Sequence, residues 1–238
     1  MKADETRHNG GMRQFAVNYH VCIQCNMKCR YCFSRWDDID RKLLPKGHLD
    51  RSESIRLTRM LGSRFGKVTF VGGEPTLIPW LPGLFRAARE AGSTTMLVTN
   101  GSLLAPAWLR EVAPVLNWLG LSVDSANPAT QSRLGRTLRN GNSIPFEHYV
   151  HAIESARRLG IRIKLNTVVS AANHQEDLSE MVMQLKPERW KVMQVLPIRG
   201  QNDESIDALR ISRDQFVEFV DRHRHLADHA IQLVPESS

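Results

Sequence analysis

Apolar and polar positions along this chain switch repeatedly between a period of two and a period near three and a half. Short β-branched or apolar runs over 15–21, 67–71, 95–99, 118–123, 161–169 and 190–196 read as strands. Between and after them, apolar residues recur at helical spacing over 50–65, 80–91, 107–115, 146–159, 176–185 and 212–226. The first of these helices opens on Asp50 with Glu53 three residues on, and its expected apolar face is Ile55, Leu57, Met60 and Leu61. Ser212 with Gln215 gives the last helix the same kind of start. The stretch after Ser125, rich in Asn, Gly and Arg, reads as loop. Six strands alternating with helices predict an α/β fold with a parallel sheet and right-handed crossovers, a partial (βα)6 barrel of the TIM type. No repeat, low-complexity tract or linker divides the chain, so 15–238 is expected to be one domain behind a flexible polar tail over 1–14.

In parallel α/β folds the chemistry gathers at the C-terminal ends of the strands, and here those ends are distinctive. Directly after the first strand, Cys22, Cys25, Cys29 and Cys32 account for all 4 cysteines of the chain. Thiols two or three residues apart are badly placed to close unstrained disulfides and well placed to converge on a metal. The subset Cys25, Cys29 and Cys32 has the spacing C-x3-C-x2-C of an iron–sulfur ligand set that leaves one iron without a protein ligand. An open metal position can bind a small molecule directly. A closed zinc site is the other use for four thiols, although zinc pairs usually sit apart with a knuckle between them. Cys22 reads as a buried bystander. The second strand ends in Gly72-Gly73-Glu74-Pro75, where glycines let a backbone approach a ligand closely and proline blocks an immediate helix. The third ends in Asn100-Gly101-Ser102 and the fourth in Asp124-Ser125.

A net charge of +7 invites a nucleic-acid reading, but much of the excess lies on predicted helices, at Arg86, Arg89, Arg157 and Arg158, where it forms a solvated face. No direct nucleic-acid binding is expected. More informative are Lys67, Lys164, Arg189 and Lys191, which fall on or beside predicted strands, where a cation buried without an anion is costly. Strand alternation puts Lys164 and Asn166 on one face, and likewise Arg189 and Lys191. Four cations converging inside a barrel suit a triphosphate, with Arg able to grip phosphate oxygens in pairs. The competing reading pairs them with buried carboxylates or lets them snorkel outward. Asn18, Asn100 and Asn166 can orient a ribose or a cofactor through paired donors and acceptors. An apolar fraction of 42% and a charged fraction of 24% are ordinary for a soluble protein, no apolar run is long enough to span a bilayer, and residues 1–14 lack the apolar core of a signal peptide. Clustered thiols suit a reducing compartment, so a cytoplasmic protein without membrane attachment is expected.

The cysteine spacing, followed by Phe33, resembles the signature of the radical S-adenosylmethionine enzymes. Several further strings narrow that resemblance: Asn18-Tyr19-His20, Cys25-Asn-x-Lys-Cys29, Phe70-x-Gly-Gly-Glu-Pro75, Thr99-Asn-Gly-Ser102 and Ser122-x-Asp-Ser125. With Gly135-Arg136, Lys164-x-Asn166-x-Val168, Arg189-Trp-Lys-Val192-x-Gln194 and Leu233-Val-Pro-Glu-Ser237, they are similar, in order, to the viperin family. The resemblance implies a partial barrel of the radical S-adenosylmethionine kind and a four-iron four-sulfur cluster on Cys25, Cys29 and Cys32. S-adenosylmethionine would sit on the open iron. It further implies that Gly72, Gly73 and Glu74 cradle the cofactor's amino group, that Ser122 contacts the cofactor and that Arg136 binds its carboxylate, with Tyr31 and Asn100 completing the cofactor contacts. The substrate would be a ribonucleoside triphosphate, met by Asn18, Lys67, Lys164, Asn166, Arg189 and Lys191. Abstraction of its 4'-hydrogen and loss of its 3'-hydroxyl as water would give a 3'-deoxy-3',4'-didehydro nucleotide that terminates viral RNA chains.

An electron donor such as flavodoxin or ferredoxin and a monomeric state are expected. The amphipathic helix that precedes the core in animal members is expected to be missing, which resembles the prokaryotic branch, and so is the family's C-terminal closing segment beyond Ser238. The alternatives are a radical S-adenosylmethionine enzyme acting on a peptide or another small molecule, and, from a different class, a zinc-dependent nucleic-acid-binding module. The chain has no further cysteines for auxiliary clusters, which speaks against some of the former.

Overall fold

Seven strands run parallel in one sheet, in chain order: β1 (Ala16–His20), β2 (Lys67–Val71), β3 (Thr94–Thr99), β4 (Trp118–Ser122), β5 (Arg162–Val169), β6 (Arg189–Gln194) and β7 (Gln232–Glu236). The structure is a computed structural model that describes residues 15–36, 42 and 44–237, so the tail expected over 1–14 lies outside it. Each strand pairs with the next, and among the described residues β7 does not return to β1. The sheet is therefore a curled half-barrel. The connections carry α1 (Arg51–Arg64), α2 (Leu81–Glu90), α3 (Pro106–Val112), α4 (Pro128–Arg133), α5 (Phe146–Arg158), α6 (Ser179–Leu185), α7 (Asp203–Ile206) and α8 (Arg213–Arg222).

Register gives the two faces of the sheet opposite characters. On the outer face Val68, Phe70, Leu97, Leu119, Leu121, Leu165, Trp190 and Val192 are wholly buried under the helices. Phe70 stacks edge-on against Phe85 of α2 at 5.0 Å, and Trp190 against Phe219 of α8 at 6.1 Å. Each such side chain contributes about 1.5–3 kcal/mol by leaving water. The inner face follows from the same pairings: Asn18 lies beside Thr69, Ser122 beside Asn166, Lys164 beside Arg189, and Asn166 beside Lys191. Lys67, two residues before Thr69, shares that face. One alternation thus builds the core and lines the lumen.

Three expectations needed correction. The count of six strands missed β7, whose Pro235 argues against a strand except at an edge, which is where β7 sits. The expected loop after Ser125 contains α4, started by the Asn127 side chain accepting from the Ala129 N–H at 2.9 Å and by Pro128 in the first turn. In α1, the wholly buried residues are Ser54, Thr58 and Gly62; Ile55, Leu57 and Leu61 flank them half-buried, and Met60 is 42% exposed. The helix crosses α2 so closely that a Cβ on Gly62 would stand 2.8 Å from the Ala91 Cβ, and such contacts select small residues over large ones. Asp50 does start α1 but makes no side-chain cap; its carboxylate pairs with Lys46 at 3.0 Å. Ser212 and Gln215 form the full capping box of α8.

Candidate active site

The cysteine loop leaves β1 and continues as a ladder along the end of β2. Val21 donates to the Val71 carbonyl at 2.8 Å, Gly73 to that of Cys22 at 2.7 Å, and Glu74 to that of Gln24 at 2.7 Å. Gly72 has φ +148, and a Cβ there would stand 2.5 Å from the Cys22 oxygen; one on Gly73 would stand 2.0 Å from the Gln24 oxygen. The close approach read from these glycines is thus made by the cysteine loop itself. Cys22 is buried, with its thiol facing the carbonyls of Glu74 at 3.4 Å and Gln24 at 3.6 Å. Burial pushes that thiol up to about 11.

Glu74 is a hub between strand ends. Its buried carboxylate accepts from the Thr76 N–H at 3.0 Å, the Thr76 hydroxyl at 2.6 Å, the Thr99 hydroxyl at 2.6 Å and the Asn100 N–H at 2.8 Å. Burial pushes this carboxyl up, against those bonds, which pull it down. Asn100 in turn donates from Nδ2 to Asn26 Oδ1 at 2.8 Å and reaches the Cys25 sulfur at 4.0 Å, while Asn26 donates to Ser102 at 2.8 Å. Asn26 had no reading of its own; only its place between two cysteines pointed to it.

A second hub closes the other side of the loop. The Tyr31 hydroxyl donates to Asp124 Oδ2 at 2.5 Å, and Asp124 Oδ1 accepts from the Val168 N–H at 2.8 Å. Arg136, 2% exposed, pairs through Nε with Asp124 at 3.3 Å, donates to the Tyr31 oxygen at 3.1 Å and to the Ser122 carbonyl at 2.5 Å. Burial, then Asp124, pushes the Tyr31 phenol far up. Arg136 and Tyr31 are therefore engaged within the protein, and a cofactor carboxylate on Arg136 requires one of these bonds to be exchanged. Asp124 went unassigned in the sequence because its partners lie far along the chain, at Tyr31, Arg136 and Val168.

Cys25, Cys29 and Cys32 share this rim and feel one another's charge. Burial raises all three thiols, Cys29 to about 12, so loading a metal group onto them would release protons. Among the described residues no three His, Cys, Asp or Glu side chains close around a single ion. A four-iron cube asks for something else, thiolates at separate corners. The N–H of Met27 points at the Cys25 sulfur at 3.4 Å, and with Asn100 it supplies the kind of donor that tunes such clusters. The donor set fits a four-iron four-sulfur cluster.

Below the rim, the lumen floor is cationic. Lys67, Lys164 and Arg189 have no ion-pair partner among the described residues, whereas Lys191 pairs with Glu236 of β7. For Lys191 the carboxylate-pairing reading is the one realised. Burial, then the charges of Lys191, Lys67 and Arg189, lowers Lys164 to about 8; burial and Arg189 lower Lys67. Asn166 Oδ1 and Arg189 Nε are buried without a hydrogen-bond partner among the described residues. Asn166 is buried at the level of Ser122, and Asn18 is exposed on the open side.

The comparisons agree with this geometry. A family model of the Radical SAM superfamily matches residues 19–185. The S-adenosylmethionine-dependent nucleotide dehydratase of Flammeovirga pacifica is 46% identical over 211 residues, which cover 87% of this chain and 72% of that protein. The protein of the same description from Lacinutrix mariniflava is 38% identical over 224 residues, 94% of this chain but 46% of its own length. Among solved structures, Streptococcus suis SuiB bound to S-adenosylmethionine superposes with a TM-score of 0.70 at 17% identity, covering 94% of this chain and 50% of that one. The enzyme anSMEcpe with bound AdoMet and a peptide gives 0.69 at 15% identity, covering 92% and 63%. At such identities the likeness is one of fold. The zinc-module alternative falls with these matches, and the chain belongs to the radical S-adenosylmethionine superfamily and, within it, to the S-adenosylmethionine-dependent nucleotide dehydratases, the viperin family.

Proposed function

We propose that the protein dehydrates a ribonucleoside triphosphate, held with its phosphates on the lumen floor and its ribose turned toward the cysteine rim. The observation that carries this reading is the floor itself: Lys67, Lys164 and Arg189 crowd together, none with an ion-pair partner among the described residues, the Glu236 carboxylate that bears on Lys164 being paired with Lys191, and Arg189 Nε and Asn166 Oδ1 lack partners there. Crowded, half-buried cations call for an anion of several charges. Asn166 stands level with Ser122, one inward position beyond Lys164, at the height where a ribose would follow its phosphates.

Cys25, Cys29 and Cys32 would hold the four-iron four-sulfur cluster, which with bound S-adenosylmethionine supplies a 5'-deoxyadenosyl radical able to take the ribose 4'-hydrogen. The chain's own contribution is placement. The Glu74 and Asp124 hubs fix the loop at both ends, the carbonyls around Gly72 and Gly73 are the candidates for the cofactor's amino group, and Ser122 and Arg136 lie where its carboxylate would enter. Asn18 and Asn166 orient the sugar, and the outer apolar layer keeps bulk water from the closed side of the barrel. Loss of the 3'-hydroxyl from the resulting 4'-radical as water, with one further electron from the reductant and one proton from solvent, would give a 3'-deoxy-3',4'-didehydro nucleotide, able to terminate RNA chains in antiviral defence. The same reading makes the protein a cytoplasmic monomer reduced by a flavodoxin or ferredoxin; among the described residues no helix is long and apolar enough to cross a membrane.

Anaerobic reconstitution with iron and sulfide, then incubation with S-adenosylmethionine, a reductant and each ribonucleoside triphosphate in turn, tests the proposal. Mass spectrometry should show 5'-deoxyadenosine and a nucleotide lighter by one water. Cofactor cleavage with every nucleotide intact would move the protein to another substrate class.

A further inference from the structure

We infer that the outer surface of the cysteine loop is the docking site for a small acidic one-electron carrier protein. Two segments build it. The cysteine loop lies alongside the stretch that follows α4, joined by the Arg30 N–H donating to the Leu134 carbonyl at 2.9 Å and by an antiparallel bridge between Met27 and Leu138. Lys28, Arg30 and Arg139 stand exposed on these two segments, and Arg133 beside them at the end of α4. None has a carboxylate within ion-pair distance among the described residues. The sequence explains why: no Asp or Glu occurs between Cys22 and Trp36, or between Ser125 and Phe146. Elsewhere on the described surface cations are often neutralised locally, as Arg158 is by Glu154 and Arg162 by Glu188.

The inference rests on the proposed function, since it presumes that the three thiols hold a group needing an electron. One electron passes from the carrier, which is oxidised by one, to the group on Cys25, Cys29 and Cys32, which is reduced by one. A carrier seated on Lys28 and Arg30 stands directly over the loop that bears those cysteines. These exposed cations are a set separate from the half-buried lumen cations assigned to phosphate. Charge complementarity of this kind steers encounter and suits the small, transient interfaces of redox partners. RNA is the competing occupant of a basic surface, but RNA here would gain nothing from the neighbouring thiols.

The test uses the reconstituted protein, the Lys28→Glu/Arg139→Glu double variant and, as a control of equal charge change on a distant surface, Arg110→Glu/Arg86→Glu. Lys28 and Arg139 make no hydrogen bond that the fold depends on. Reduced flavodoxin should bind the double variant about tenfold or more weakly at low salt, and drive cofactor cleavage correspondingly more slowly, with both losses fading as added salt screens the wild type. Dithionite-driven cleavage should stay within about twofold of wild type, and the control pair should behave as wild type in every assay. Unchanged flavodoxin binding, or equal losses with both reductants, would overturn the assignment. So would loss of single-stranded RNA binding with flavodoxin affinity intact, which would give the surface to nucleic acid. A wild type idle with dithionite as well as flavodoxin would sink the proposed function, and this inference with it.

Discussion

At the rim of the half-barrel, Glu74 accepts four hydrogen bonds, and Asp124 meets Tyr31, Arg136 and the Val168 N–H. On the floor, Lys67, Lys164 and Arg189 form no ion pair among the described residues, and their charges bear on one another. The rim is finished by the protein's own bonds. The floor is not, and it carries a repulsion that an anion would relieve. A loop presenting metal ligands needs rigidity before the metal arrives, because misplacement by an ångström ruins the geometry. A substrate site needs the reverse, unmet demand that only the substrate satisfies. The rim hubs lie just past the ends of β2 and β4, where backbone N–H groups of Thr76, Asn100 and Val168 are free to complete them, while the floor cations sit on or at the start of strands whose backbone groups are spent in the sheet.

The largest expected effect probes the rim. Arg136→Met leaves Asp124 buried without its cation and should cost about 3–5 kcal/mol of folding stability in urea titrations; a loss within a few tenths would show that the hub does not hold the loop. On the floor, Lys164→Ala or Arg189→Ala should weaken nucleoside triphosphate binding by about 1.5–3 kcal/mol, roughly 10- to 150-fold by calorimetry. The free protein should lose no stability from either change, since each removes an unpaired cation. Undiminished affinity would reject the phosphate assignment.

Back at the rim, Gly73→Ala drives a Cβ into the Gln24 carbonyl, so about 1–3 kcal/mol of overpacking is expected, with less iron bound per chain after reconstitution. Acidity separates the two regions again. Lys164 titrates near 8 in the free fold against an ordinary 10.5, so its buried charge burdens the fold below about 8. That burden fades as pH climbs from about 8 toward 10.5, and stability from this group rises across the window. Triphosphate affinity should run the other way, level below about 8 and falling by up to about tenfold per pH unit above it, with proton uptake on binding. Affinity flat to pH 10 would remove Lys164 from the site. The smallest effect belongs to Lys191→Met, under about 1 kcal/mol in triphosphate affinity, because Glu236 already offsets that charge.

Much of this architecture was legible in the residue pattern because both faces of the sheet obey a period of two. The span 67–71 was read with the bounds that β2 shows, and the cations on β2, β5 and β6 stood out because strands rarely carry them. The misses have local causes. β7 hid behind Pro235, which an edge strand tolerates; α4 hid in a polar stretch whose Asn127-Pro128 start was the available signal. The face of α1 was misassigned because hydrophobicity does not register a close crossing built on Ser54, Thr58 and Gly62. The hubs were the least legible: Glu74 was read as facing a ligand and Asp124 as closing a strand, since pairings such as Tyr31 with Asp124 exist only once the strands are assembled.

The claim that the lumen floor is a polyphosphate site is tested most directly by titrating the protein with a nucleoside triphosphate and with the matching monophosphate at neutral pH and low salt. Two further charge-assisted contacts at about 1.5 kcal/mol each predict a triphosphate bound roughly 150-fold more tightly, with the gap narrowing in Arg189→Ala. Equal affinities for the two nucleotides would contradict it.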